Sequence, residues 1–526
     1  MSTRFIARIA LGVFVVLPAP APAQLIDRTQ APNTAGEGIQ KSLAEEIGVG
    51  RGDILTPDSS SFVISRDPFR AIRRGRQLFQ RKFTRAQGSG PLVGDGTGEI
   101  DNTLVIGAGL SDSCAGCHGR PRGSAGFGGD VATRPDSRDA PHLFGLGLKE
   151  MLADEITSSL RAIRADSVAR AQGSGRPVTL SLVSKGIRYG RITGRPDGSA
   201  DTSQVQGVDA DLRVRPFFFH GGTISIREFA VGALQAEMGL QAVDPDLHAA
   251  AVGHARIITP AGMVLDGALD RIESPPTADP GADPDGDGVS EEIPSSLVDY
   301  LEFYLLNYFK PATHEQGTAT RRGELVMQRS GCMGCHVQDL SIVNDRRVAD
   351  VETVFDPERG IFNRLFATAT GRFGTIDDGT GLPTLKPPAR GSFLVRNILS
   401  DLKRHDLGPS FYERNYNGIL QREFLTTPLW GVGSTAPYGH DGRSLNLIEV
   451  ILRHGGEATA SRNAFAAQSL NDRNAVLAFL GSLVLFPPDD TASNLDPGDP
   501  GAENFPQFGH GSIKLTVLFN DPSDKE

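Results

Sequence analysis

Along the chain, segments with an apolar stripe at helical spacing alternate with long polar stretches. Leu297, Leu301, Tyr304, Leu305 and Tyr308 recur mostly three or four residues apart, and Met151, Ile156, Leu160 and Ile163 fall on one side of another such segment. Each set is one buried face of a helix. Residues 321–329 predict a helix that runs straight into Cys332, and residues 470–485 predict a later apolar helix. Period-two alternation is scarce, so few strands are expected, the clearest at 178–183 and 512–518. Residues 88–98, 119–141, 170–177, 193–209 and 275–288 are dense in Gly, Pro, Ser and Asp and read as connectors. The pattern predicts a mainly α fold with long loops.

A chain of 526 residues with 62 Gly and 34 Pro is too long for one small domain and predicts two or more. The net charge of −10 offers no basic footprint for nucleic acid or anionic lipid, which removes those partners. At the N-terminus, Arg4 and Arg8 precede an apolar run from Ile9 to Leu17 and then Ala21-Pro22-Ala23. That order of charge, apolar core and small residues predicts a signal peptide over 1–23 and export from a bacterial cytoplasm to the periplasm. The apolar run is too short to span a bilayer, and no second long one follows, so no membrane span is expected.

The four cysteines change the picture most. They fall in Cys114-Ala-Gly-Cys117-His118 and Cys332-Met-Gly-Cys335-His336, and these two motifs use every Cys in the chain. In Cys-x-x-Cys-His, two thiols are spaced to form thioethers with the haem vinyl groups and the next His becomes an iron ligand. One zinc ion held by all four thiolates would leave both trailing His residues without a role, and a disulfide would not require them. The reading is two covalently attached haems c, one in each half. It divides the chain into the signal at 1–23, an N-terminal extension at 24–65, an N-terminal haem domain at 66–315, a C-terminal cytochrome-c-like haem domain at 316–488, and a tail at 489–526.

Several further motifs occur in a fixed order: Phe79-Gln-Arg-Lys-Phe83, Gln87-Gly-Ser-Gly-Pro91, the run from Ala140 to Glu150, the run from Ile226 to Gly239, Pro428-Leu-Trp430-Gly, Tyr438-Gly-His440-Asp441-Gly-Arg443, and His454-Gly-Gly-Glu457-Ala458. In this order the chain resembles the bacterial dihaem cytochrome c peroxidase superfamily, and within it the dihaem oxidoreductase branch sometimes labelled thiol oxidoreductases. The resemblance covers residues 69–485. It implies tandem cytochrome-c-like domains, with Trp430, Tyr438, His440 and Arg443 lining a haem edge. In the related peroxidases the distal ligand of the second haem lies fourteen residues beyond the His of the Tyr-x-His motif and is usually Met. Here that count from His440 reaches His454. The resemblance therefore implies His336 and His454 as the two ligands of the second iron, the plainer alternative being that His454 only ends a helix.

For the first haem, with His118 proximal, the resemblance puts Glu237 where the peroxidases carry an acid–base carboxylate. The alternative is that Glu237 solvates a helix face. Two positions depart from the family: Phe229 stands in place of a nearby Gln, and Phe219 in place of the Trp that lies between the haems in many members. His220 or His142 are candidates to close the first iron instead, His220 ranked first.

Within the acidic loop 275–294, Asp283-Pro-Asp285-Gly-Asp287-Gly alternates hard oxygen ligands around a turn, as a Ca2+ site requires. The EF-hand register fails, because its twelfth position is Pro294, so Glu291 or Glu292 is expected to complete the shell; a solvated acidic linker is the alternative. The resembling peroxidases carry calcium between their haem domains, where this loop falls.

Two functions follow. In one, electrons from a donor protein, a small cytochrome or cupredoxin, enter at the C-terminal haem and pass to the N-terminal haem to reduce peroxide or a related oxidant. In the other, both irons are six-coordinate and the chain only relays electrons.

Overall fold

The computed structural model describes residues 42–89, 111–119, 125, 139–308, 312–313, 317–355, 365–371, 375–376, 384–385, 392–414, 419–484 and 514–516. The expected signal at 1–23 and almost all of the tail lie outside them. Among the described residues helices far outweigh strands, which bears out a mainly α fold.

Three short N-terminal helices open the fold: α1 (Leu43–Ile47), α2 (Ser60–Arg66) and α3 (Pro68–Gln80). Each begins at a polar cap, Ser42, Ser59 and Asp67, whose side chain accepts an otherwise unpaired first-turn N–H. The first Cys-x-x-Cys-His motif forms α4 (Cys114–His118). Next comes the 29-residue α5 (Leu146–Ser174), which continues through part of the connector expected at 170–177 and stops only at Gly175. Ala171 is fully buried, and that packing outweighs the Gly and Ser signals around it.

A hairpin follows, β1 (Val178–Ser184) against β2 (Ile187–Gly194), with β3 (Ala200–Asp201) on its far edge. Lys185 and Gly186 both carry positive φ, 48° and 81°, as a two-residue hairpin turn demands. Helices α6 (Ile226–Met238) and α7 (Pro245–Ala251) lead through the acidic loop to α8 (Ser295–Asn307). As the sequence pattern predicts, Leu297, Leu301, Tyr304 and Leu305 of α8 are buried. Arg227 of α6 is fully buried and bonds Asp299 at 2.8 Å and Glu302 at 2.9 Å, both on α8, and Asp244 at 2.7 Å. A buried cation met by three carboxylates fixes α6 against α8.

The C-terminal half has α9 (Thr318–Arg329), the second Cys-x-x-Cys-His motif, then α10 (Leu447–Arg453), α11 (Thr459–Ala466) and α12 (Leu470–Gly481). Helices α9 and α12 cross so closely that a Cβ on Gly323 would lie 1.9 Å from the Ala475 carbonyl oxygen. Strands are more numerous than expected. Ala349–Phe355 pairs antiparallel with Leu365–Gly371, and Lys514–Thr516 adds to it in parallel, inside the strand expected at 512–518. Other pairings are two or three residues long, such as Leu340–Ile342 with Phe393–Val395, too short for a period to register.

Three apolar cores result. One surrounds α3, α6 and α8 and takes in Cys114; another, around α9 and α12, includes Phe465 and Phe479 and packs against Cys332. Between them, a further core joins Leu152, Ile156 and Leu160 of α5 and Tyr189 of β2 to Leu340, Ile398, Leu402 and Trp430. It draws on residues from both sides of the expected boundary at 315/316.

Candidate haem-binding centres

The first motif is held as a single helical turn. Ser113 caps it, its Oγ accepting the Gly116 N–H at 3.1 Å. His118 donates Nδ1–H to the Pro141 carbonyl at 2.7 Å, and burial lowers its pKa to about 4. A neutral ring with Nδ1–H tied to a carbonyl leaves Nε2 as a fixed lone pair, the state required of an iron ligand. Burial, with Cys117 adding to it, pushes the Cys114 thiol up to about 12.

Two buried groups nearby lack partners, and one of them, Lys149, fits a guest that brings its own carboxylates. Burial pulls the Lys149 ammonium down to about 8; it sits 5.6 Å from the Phe217 ring centroid, and among the described residues no carboxylate is bonded to it. His142 donates Nε2–H to the Trp430 carbonyl at 3.1 Å, while its buried Nδ1 has no partner among the described residues. Burial first, then Lys149, holds that ring neutral with a pKa of about 3. A buried cation without a partner is costly unless something satisfies it, and for Lys149 the propionates of a haem attached at Cys114 and Cys117 are of the right chemistry, whereas the bare Nδ1 of His142 calls for a donor.

Glu237 lies in the last turn of α6, half-buried, and its carbonyl accepts the Ser111 N–H at 3.4 Å, three residues before Cys114. His220 stacks on Phe218 at 6.1 Å, and Phe218 contacts Phe229 at 5.3 Å, so His220 and Phe229 share one aromatic group. His142 follows the carbonyl that anchors His118 and has its Nε2 engaged by Trp430. Phe219 turns toward the C-terminal half: its carbonyl accepts Leu425 N–H at 2.8 Å and its ring centroid lies 6.0 Å from that of His440.

At the second motif, His336 donates Nδ1–H to the Leu399 carbonyl at 3.0 Å. Burial first lowers its pKa to about 4, with the His454 and His405 rings adding to the fall and the Leu399 carbonyl and Asp401 opposing it. His454 ends α10, donates Nδ1–H to the Val450 carbonyl at 2.6 Å, and meets the edge of Phe411 at 5.4 Å. Both rings thus present Nε2 with the other nitrogen tied. Met327, the nearest alternative ligand type on the preceding helix, is buried in the core of α9 and α12.

Sequence reasoning missed the group beside Cys335. His405 bonds Asp401 at 2.9 Å through Nε2 and Glu457 at 2.8 Å through Nδ1. Burial opposes its charge, but the bonds to Asp401, Cys335 and Glu457 prevail and raise its pKa to about 11. A lasting imidazolium therefore stands next to the second motif. Its signals were the four-residue spacing of Asp401 and His405, and Glu457 three residues past His454. Among the described residues, the groups of three or more His, Cys, Asp or Glu that converge are Cys335–Asp401–His405 and Asp283–Asp285–Asp287. The four thiols do not gather into one zinc centre.

The Tyr-x-His segment is largely a wall. Tyr438 donates its hydroxyl to the Val432 carbonyl at 2.9 Å, and Trp430 is 4% exposed in the bridging core. Buried His440 bonds Glu413 at 2.9 Å and stacks on Phe424 at 4.3 Å. Arg443 is exposed, 3.4 Å from Asp441.

In the acidic loop, Asp283 accepts N–H groups of Gly286, Asp287 and Gly288 at 2.8, 3.2 and 2.9 Å, which curls the loop and brings Asp283, Asp285 and Asp287 together. Asp285 Oδ1 and Glu292 Oε1 are buried without a partner among the described residues. Burial first, then the three Asp charges, raises Glu292 to about 9 although the Gln241 N–H opposes this. Neither Glu291 nor Glu292 is one of the three converging acids. Unpaired buried oxygens beside three carboxylates are the donor set of a hard divalent cation.

Residues 338–483 match the family described as di-haem oxidoreductase, putative peroxidase. Over this segment, just over a quarter of the chain, the protein is similar to the di-haem oxidoreductases. The matched segment begins just beyond His336 and takes in His405, Trp430, His440 and His454; the first Cys-x-x-Cys-His motif lies outside it. No curated protein matches the chain.

Proposed function

We propose that the protein is a di-haem oxidoreductase, an exported periplasmic enzyme with two covalently attached haems c, which takes electrons from a small cytochrome or cupredoxin at the C-terminal centre and reduces peroxide or a related oxidant at the N-terminal centre. The observation that carries this reading is an asymmetry. At the second centre two imidazoles, His336 and His454, share one neighbourhood with Nδ1 tied, whereas at the first the imidazole near His118, that of His142, has its Nε2 bonded to the Trp430 carbonyl, and Glu237 is joined to the motif's approach through its carbonyl and the Ser111 N–H.

Haem, when bound, supplies reversible one-electron chemistry at each centre. Cys114, Cys117, Cys332 and Cys335 hold it through sulfur, while Pro141 and Leu399 orient the two proximal rings. Reduction of peroxide to two waters consumes two electrons and two protons; Glu237 takes a proton from one peroxide oxygen and returns it to the departing one. Phe229, in place of an amide, leaves the oxidant without that hydrogen bond. Asp283, Asp285, Asp287 and Glu292 hold Ca2+ in the loop that precedes α8.

The relay alternative rests on His220, which shares the aromatic group with Phe229 and is the candidate to close the first iron. Redox-poised EPR of the holoprotein decides between them. The enzyme reading expects a high-spin centre that binds cyanide in the half-reduced state; low-spin signals at every poise would leave only the relay.

A further inference from the structure

A continuous run of bonds joins the two Cys-x-x-Cys-His motifs through their proximal rings. His118 donates to the Pro141 carbonyl at 2.7 Å. The next residue, His142, donates Nε2–H to the Trp430 carbonyl at 3.1 Å. Leu429, one peptide away, donates its N–H to the Ile398 carbonyl at 3.0 Å, and the following carbonyl, that of Leu399, accepts Nδ1–H of His336 at 3.0 Å. Four hydrogen bonds and the short stretches of chain between them span the distance, and Ile398 and Leu399 along the way are fully buried.

Electronic coupling decays less steeply through bonded contacts than across a gap. Each donor hydrogen here sits on an atom that keeps it, so one electron can leave the second centre and one arrive at the first without any proton moving. The other aromatic candidate, Phe219, offers a ring that is hard to oxidise, and its carbonyl is spent on Leu425.

We propose that His142 is the bridge that couples the two centres, its imidazole linking the Pro141 peptide to the Trp430 carbonyl. The proposal rests on the reading that both motifs carry haem. His142 is a positioning residue in this role, since it acts through His118 and the peptides on either side and touches no substrate.

The test uses the holoprotein with His142→Phe, His142→Gln and Trp430→Phe, reading the rate of intramolecular electron transfer after pulsed reduction, together with haem content and both midpoint potentials. Loss of an outer-shell partner is expected to slow transfer by about tenfold or more in His142→Phe, at unchanged haem content and potentials. His142→Gln keeps an N–H for the Trp430 carbonyl and should recover part of the rate. Trp430→Phe keeps the carbonyl and should leave the rate alone. An unchanged rate in His142→Phe overturns the proposal, as does an equal loss in Trp430→Phe, which would assign the coupling to the indole. If the wild-type protein carries fewer than two haems, or they exchange no electron, the dihaem reading fails first and the bridge falls with it.

Discussion

Arg453 reaches from the last turn of α10 to Asp441, its Nη1 2.8 Å from Oδ1, and lays its guanidinium 4.2 Å from the centroid of Phe411. Phe411 in turn meets the edge of His454. The pair is 12% and 5% exposed, so it behaves as a buried ion pair whose separation leaves an uncompensated carboxylate. Arg453→Ala is expected to cost about 3 kcal/mol and to convert part of the second centre from low spin to high spin as His454 loosens. Arg453→Lys should restore charge without the two-pronged grip or the stacking. Thermal denaturation and EPR check both effects; a low-spin signal identical to wild type in Arg453→Ala would detach His454 from this support.

Glu237→Gln removes the proton acceptor at constant shape. Peroxide turnover is expected to fall by about 100-fold or more, in the range of general acid–base contributions, with haem content and cyanide binding unchanged. Steady-state peroxide reduction measures it. Full activity would return Glu237 to the role of a helix-end residue.

Calcium affinity should depend on pH with a defined sign. Burial raises Glu292 from an ordinary 4.5 to about 9, and burial with Asp287 raises Asp285 to about 6. The metal-free protein therefore carries a proton on Glu292 at neutral pH, which a cation must displace. Affinity should climb by about tenfold per pH unit between 6 and 9 and level off above. Without metal, these raised carboxyls contribute stability below their ordinary values that is lost as the pH rises through the folded ones. Calorimetric titration in two buffers of different ionisation heat reads the released proton; binding with no proton release and no pH trend would remove Glu292 from the shell, and no binding at any pH would assign the loop to a solvated linker.

Gly323→Ala sets two effects against each other. Helix propensity favours Ala by about 1 kcal/mol, but the added Cβ would lie 1.9 Å from the Ala475 carbonyl oxygen, and forcing packed helices apart costs about 1–3 kcal/mol or more. The clash should win, lowering the melting temperature of the holoprotein. A stabilised variant would mean that α9 and α12 stand farther apart than described.

The long helices were legible because their stripes persist: α5, α8, α9 and α12 all fall on predicted segments. Their ends were less so, as Ala171 shows, where burial carried α5 past residues that favour a turn. The strand Ala349–Phe355 does alternate, Val351, Thr353 and Phe355 against Asp350 and Glu352, a signal weaker than the loops around it. For the candidate centres, the two Cys-x-x-Cys-His motifs stand out from local spacing alone. The partners of the His rings do not: Pro141, Leu399 and Val450 offer main-chain carbonyls, which no side-chain pattern encodes, and the charge on His405 depends on acids from two distant segments. Arg453 had no reading from the sequence because Asp441 and Phe411 reach it only through the fold.

The core that joins α5 and the β1–β2 hairpin to Ile398, Leu402 and Trp430 has a kinetic consequence. A dry apolar seam shared by both halves cannot part and re-form cheaply, so the separation of the two Cys-x-x-Cys-His motifs is set when the chain folds and held afterwards. With haem at both motifs, as proposed, exchange between them would be governed by a frozen geometry, and its rate should be indifferent to the viscosity of the medium.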